Sequence, residues 1–412
     1  MLRHNSLLAA VMLASALLMA QTPRAASSAP RPILMDGHVH ITDRVYWEGI
    51  DPWTPQPVGP FDYARAWQGG ANVVIEDIAP YGFEDYNLTV KQVGRLIETF
   101  YRVLDAHRDK MELALSAADV RRIVASGKMA VLLGIEAGFD QDGDIDILRL
   151  WYRMGVRVIQ FTSHRPTAYA DAFVLGPERT APKWGGINER GRQLIAEMNR
   201  LGMLIDISHA TDDSMRQIIE ASRAPVVASH VGLRQVTPER PGITVPDDVA
   251  RALAAKGGLI GVTGIAASIS PRYFDYIRKH PQPNGLFFLN PDPELVQSRG
   301  PANDYGAYMD ALDANLRKKW RQGHAQPWRD APDAEELAPT PDDWAEFVQR
   351  VVGLVGPDHV GIGLDLFQGR NHLKGFDARD YHKLAEALAA RKVPPGVLGE
   401  NWLRVLDSAK IP

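Results

Sequence analysis

The chain has no cysteine among its 412 residues. That excludes a disulfide framework, thiolate zinc sites, iron–sulfur clusters and cysteine nucleophiles, so any metal must be held by histidine and carboxylate. Charge of one sign is lacking too: 46 Lys+Arg against 50 Asp+Glu leave a net charge of -4. Nucleic acid is therefore not an expected partner. The patterns GxSxG, GxxxxGK[ST] and HExxH do not occur, which leaves the serine elbow, the phosphate loop and the helix-borne zinc protease without sequence support. Beyond residue 20 no apolar run approaches the roughly 20 residues of a membrane span. No stable membrane anchor is expected.

What remains is ordinary globular material. Apolar residues at 45% and charged residues at 23% supply a core and rule out disorder across the whole chain. The length would fit two or three average domains, but α/β barrels run to about 250 residues or more as one domain.

The start is different. MLRHNS precedes the apolar run LLAAVMLASALLMA, then QTP and an Ala/Ser/Pro stretch, the pattern of a secretory signal peptide. We expect residues 1–30 to be a signal and processing segment, with the mature protein beginning within 21–30 and exported to the periplasm or secreted. An uncleaved N-terminal anchor is the alternative.

From residue 31 onward β-rich runs alternate with helical patterns. The predicted strands are 33–38, 71–78, 129–136, 156–162, 203–208, 225–230, 258–264 and 359–365. Most are continuous apolar runs, as parallel strands buried on both faces require. Eight strand–helix units predict an α/β fold, a (β/α)8 TIM-type barrel spanning 31–412. A doubly wound open sheet is the rival, though no glycine-rich phosphate fingerprint follows any strand. After strand seven comes a long insertion, 271–341, carrying 10 of the 29 prolines. It reads either as a lid or oligomer arm beside the barrel mouth or as passive decoration.

Polar residues gather where apolar strands stop. Strand one ends in Asp36-Gly37-His38-Val39-His40, and a period of two puts His38 and His40 on one face. Strand three ends at Glu136, strand five at His209, strand six at His230 and strand eight at Asp365. Barrel active sites lie at the C-terminal strand ends, so these six residues should converge on one mouth. Burying so many ionisable groups without a cation would be costly. The ligand types suit zinc, or manganese, cobalt or iron.

These residues, with GINERGRQLIAEMNRLGMLIDISHAT (186–211), SRAPVVASH (222–230), VPDDV (245–249), DHVGIGLD (358–365) and GVLGENWLRVLD (396–407), resemble the membrane (renal) dipeptidase family of zinc metallopeptidases. The resemblance runs from about residue 33 to 408; the insertion matches poorly. It implies two divalent ions, zinc by analogy, and dipeptides as small-molecule substrates. It further implies that His38 and His40 hold one metal, Glu136 bridges both, and His209 and His230 hold the second. Asp365 would contact the bridging water or the substrate amine, and Arg240 the substrate carboxylate. His164 would steady the oxyanion, with Ser163 at the ungapped position. The departure from the family is His40, where Asp is usual. A homodimer is a further implication.

The expected chemistry is attack by a metal-bridging hydroxide on the scissile amide, with Asp365 passing the proton to the leaving amine. The runner-up is a mononuclear amidohydrolase-like deaminase or acyl-amide hydrolase, in which Glu136 is no bridge. A third reading is a secreted metal- or partner-binding protein with a degenerate site.

Overall fold

Ten short strands run parallel wherever they pair: β1 (Met35–Val39), β2 (Val73–Ile78), β3 (Met111–Leu113), β4 (Met129–Ile135), β5 (Val156–Gln160), β6 (Leu204–Asp206), β7 (Val227–Leu233), β8 (Thr244–Val245), β9 (Leu259–Val262) and β10 (Val360–Ile362). This computed structural model describes residues 31–57, 59–81, 83, 86–136, 138–162, 165–173, 182–238, 242–280, 292, 294–295, 305–325, 334–366 and 372–409. Ile33–Pro412 forms one compact unit. Among the described residues no helix is long and apolar enough to cross a membrane.

Eight strands follow one another around the sheet in the order β1-β2-β4-β5-β6-β7-β9-β10. Its two ends meet: Asp365 N–H donates to His38 O over 3.1 Å, and Val39 forms a parallel bridge with Leu366. That contact makes the sheet a barrel and removes the open-sheet rival. All eight predicted strands are present, most of them shorter than expected. Two strands, β3 and β8, were not anticipated, because three- and two-residue strands are too short to show a period.

Alternation sorts the core. Val73 and Ile75 of β2, Ala130 and Leu132 of β4, and Val227 of β7 pack in one cluster with Trp402. Val74, Val131, Leu133 and Ala228 face a second cluster shared with the helices. Trp402, on the helix Glu400–Ser408, needs glycine around it: a Cβ on Gly37 would stand 2.0 Å from its ring, and one on Gly361 2.5 Å. The closing stretch of the sequence thus plugs the strand layer beneath the site.

The insertion is partly helical, with Pro271–Lys279, Tyr305–Ala325 and Ala334–Leu337. Met309, Leu312, Leu316 and Trp320 of the second helix share a buried cluster with Trp47, Tyr81 and Phe83. Trp47 lies on the helix Thr42–Glu48 that directly follows β1. Arg317 donates to the carbonyls of Tyr46 and Trp47 at 2.8 and 3.1 Å, and Trp320 Nε1 donates to Glu48 at 2.7 Å. This helix is therefore built into the wall of the barrel mouth.

Candidate metal centre

His38, His40, Glu136, His209, His230 and Asp365 meet at one end of the barrel. His38 and His40 leave β1 across a register irregularity between Asp36 and Val39 and bring their Nε2 atoms within 3.1 Å. His209 and His230, from beyond β6 and from β7, bring theirs within 2.9 Å. Glu136, one residue past β4, stands between the pairs. Its Oε2 lies 3.0 Å from His40 Nε2 and 3.5 Å from His38 Nε2, and its Oε1 lies 3.5 Å from His209 Nε2. Asp365 Oδ1 is 3.8 Å from His40 Nε2. All six are buried except Asp365, which is partly exposed.

The far nitrogens of His38, His40 and His230 are held from behind. His38 Nδ1 meets Asp77 Oδ2 at 3.0 Å and Ser229 Oγ at 3.1 Å; His40 Nδ1 meets the Asp77 carbonyl at 2.8 Å. His230 Nδ1 meets Ser229 Oγ at 2.7 Å, and Ser229 is in turn tied to the buried Asp206 carboxylate. Tyr81 donates its hydroxyl to Glu136 Oε2 over 2.7 Å. Such second contacts orient metal-binding imidazoles and raise their donor strength.

The electrostatics separate the groups. Burial works to raise the Glu136 pKa, but the His38 and His40 imidazoles outweigh it and hold the carboxylate well below its usual range. Burial also opposes charge on His40, yet Glu136 beside it lifts the pKa to about 9. His38 is likewise raised, by Asp77 and Glu136 against its own burial. His230 goes the other way: burial, with the neighbouring His38 and His209, depresses it well below normal. Burial raises Asp365 to about 7, near the value a proton carrier at neutral pH requires.

This donor set fits divalent metal. Imidazole lone pairs about 3 Å apart repel unless a proton or cation lies between them, and the two pairs flank one carboxylate with an oxygen toward each. The ligand atoms of His38, Glu136 and His230, and those of His38, His40 and Asp365, form two sets that each lie within 4.8 Å. Nitrogen and carboxylate donors of this kind are zinc ligands.

Three expected residues, Ser163, His164 and Arg240, lie outside the described residues. Arg234, the nearest other arginine to Arg240 on the His230 side, is already committed. Its guanidinium donates to both oxygens of Asp212 at 2.7 and 3.0 Å, and to Thr244 Oγ1 at 2.9 Å and Thr244 O at 3.0 Å. Sequence reasoning did not single out Asp77, Tyr81, Ser229 or Asp206 as site residues. The signal for the first two was available, since β2 carries the charged pair Glu76-Asp77 just before its last residue, Ile78, and Tyr81 follows three residues later.

The chain is similar to several known proteins. A Claviceps purpurea protein, dipeptidase tcpJ, is 25% identical over 390 residues, covering 90% of this chain and 76% of its own. Dipeptidase 3 of Macaca fascicularis is 34% identical over 187 residues, covering 43% of this chain and only 37% of that protein. The fold is shared with the probable dipeptidase PvdM from Pseudomonas aeruginosa, at a TM-score of 0.71 and 21% identity over 92% of this chain and 96% of that one. It is shared also with a metallopeptidase from Rhodobacter sphaeroides, solved with a phosphinate mimic of L-Ala-D-Ala, at 0.66 and 18% over 92% and 99%. Residues 26–411 match the family described as membrane dipeptidase (peptidase family M19), and the chain belongs to that family of hydrolases acting on peptide bonds.

Proposed function

We propose that this protein hydrolyses dipeptides at a two-cation centre held by His38, His40, Glu136, His209 and His230. The carrying observation is Glu136, whose two oxygens are turned toward two separate histidine pairs. When bound, the cations supply a water-derived nucleophile at neutral pH and polarise the scissile carbonyl. The chain's own residues do the rest. Glu136 fixes the spacing of the pairs, and Tyr81 fixes Glu136. Asp365, the partly exposed carboxylate beside His40, takes a proton on its carboxylate and delivers it to the departing amine. Arg240 is assigned to the substrate's C-terminal carboxylate and His164 to the developing oxyanion, both on the sequence match alone.

The test is a broad dipeptide panel run with metal quantification on the purified protein. Hydrolysis with two zinc equivalents per chain supports the proposal; turnover of no dipeptide by the zinc-loaded protein overturns it. A single equivalent favours a mononuclear amidohydrolase, a reading supported by the proximity of His38, His40 and Asp365 alone. Export, read from residues 1–20, is tested by N-terminal sequencing of the protein from the periplasm or medium, and a homodimer by light scattering.

A further inference from the structure

Asp43 is a buried carboxylate that accepts no hydrogen bond from the described residues. It sits in the first turn of the helix Thr42–Glu48, three residues after His40, and is 1% exposed. Two other buried carboxylates of this region, Glu76 and Asp36, are engaged. Glu76 accepts from Ile41 N–H, Thr42 N–H and the Tyr63 hydroxyl. Asp36 accepts from His38 N–H, Leu364 N–H and the Tyr381 hydroxyl. A buried acceptor with no donor is costly and calls for an explanation. The positively polarised group nearest Asp43 is His40, whose Nδ1 lies 3.7 Å from Asp43 Oδ2.

We infer that Asp43 is a positioning residue of the metal centre, its carboxylate supplying the counter-charge for the cation held through His40. This rests on the two-cation reading. His38 already has a carboxylate behind it in Asp77, at 3.0 Å. Behind His40 the hydrogen-bond acceptor at Nδ1 is neutral, the Asp77 carbonyl at 2.8 Å, and the imidazole itself brings no negative charge as a ligand. Asp43 provides the missing charge from behind the imidazole, where a carboxylate strengthens the donor without occupying a coordination position. The rival explanation is that Asp43 merely answers the positive end of its helix, an ordinary preference of acidic residues in a first turn.

Zinc affinity of the full chain, measured by competition with a chelator, separates the two explanations. Wild type, Asp43→Asn, Asp43→Glu, His40→Asp and the His40→Asp/Asp43→Asn double variant are compared, with stoichiometry by mass spectrometry and thermal unfolding of the metal-free proteins. Asp43→Asn should weaken one equivalent about 10- to 100-fold and leave the other unchanged. Asp43→Glu, which keeps the charge, should stay close to wild type. In the His40→Asp background the Asn change should cost little, because position 40 then carries the charge itself. Metal-free Asp43→Asn should unfold no lower than wild type, since it loses no hydrogen bond. Wild-type affinity in Asp43→Asn, or the same loss in both backgrounds, overturns the inference and leaves the helix explanation. A wild type that binds no zinc overturns the two-cation reading itself.

Discussion

His209 and Asp365 face Glu136 and His40 across the barrel mouth from left-handed backbones, at φ of 66° and 56°. Only Lys392 shares that conformation among the described non-glycine residues. The left-handed region crowds Cβ against the following carbonyl and costs an ordinary residue roughly 1–2 kcal/mol. Such strain persists where the surroundings over-determine it, and it concentrates at functional sites. Asp365 lies three residues past the end of β10, and its left-handed backbone leaves the carboxylate 3.8 Å from His40 Nε2.

Two variants at that position measure the strain. Asp365→Ala and Asp365→Gly both remove the carboxylate, so both should lose most activity. Gly adopts the conformation freely, so the metal-free Gly variant should be about 1 kcal/mol more stable than the Ala variant. Urea unfolding of the pair checks this; equal stabilities would mean that the backbone at 365 is not strained.

Glu136→Gln should separate the two cations' fates from the fold. The amide keeps the size of the side chain and can still accept from Tyr81, but it brings no charge to lie between two dications. At least one metal equivalent should be lost, and the rate should fall about a hundredfold or more. Metal content and activity within about tenfold of wild type would remove Glu136 from the centre.

The barrel was legible because its strands are continuous apolar runs, and Val73, Ile75, Ala130 and Leu132 do line one layer. The six residues at strand ends were legible for a related reason: a histidine or carboxylate that stops a buried strand has one place to point. Tyr81 and Asp43 were not. Tyr81 lies beyond its strand, and while its hydroxyl reaches Glu136 its side chain packs in one cluster with an insertion helix more than 200 residues away. Asp43 reads as a routine helix-start acid until its burial and empty hydrogen-bonding capacity are known.

The insertion helix should therefore matter to catalysis through Tyr81. Tyr81→Phe removes one hydrogen bond to a charged group, and should lower kcat roughly 10-fold or more while leaving the fold intact. Trp320→Ala opens a cavity in the shared cluster and should cost about 3–5 kcal/mol of stability, with kcat falling toward that of Tyr81→Phe. Trp320→Phe should recover part of both. Unchanged kcat in a folded Trp320→Ala protein would confine the helix to a structural role.

Arg234 and Arg240 should behave differently. Arg240→Met is expected to raise KM for free dipeptides strongly, by about 2–5 kcal/mol of lost pairing, and far less for dipeptide amides that lack the carboxylate. Arg234→Met instead breaks the partly exposed pair with Asp212, and should cost about 1 kcal/mol of stability with little effect on KM. Steady-state kinetics on matched acid and amide substrates decide the assignment, and a KM effect confined to Arg234 would reverse it.

Glu197 offers a pH test far from the metal centre. Hydrogen bonds from Arg200 and Arg149 hold its carboxylate down at about 2, against the raising effect of burial. A carboxyl depressed from 4.5 to about 2 adds stability that is complete above the unfolded-state value. It is lost as pH falls toward the folded-state value. The full shift would correspond to about 3 kcal/mol. Arg149 and Arg200 are 42% and 60% exposed, so solvent screening cuts the contribution to about 1 kcal/mol. Glu197→Gln should therefore be less stable than wild type at neutral pH, and the gap should close between about pH 4.5 and pH 2. Urea unfolding of the two proteins at several pH values follows the gap directly. A difference that stays constant with pH would assign the effect to packing or geometry instead of charge.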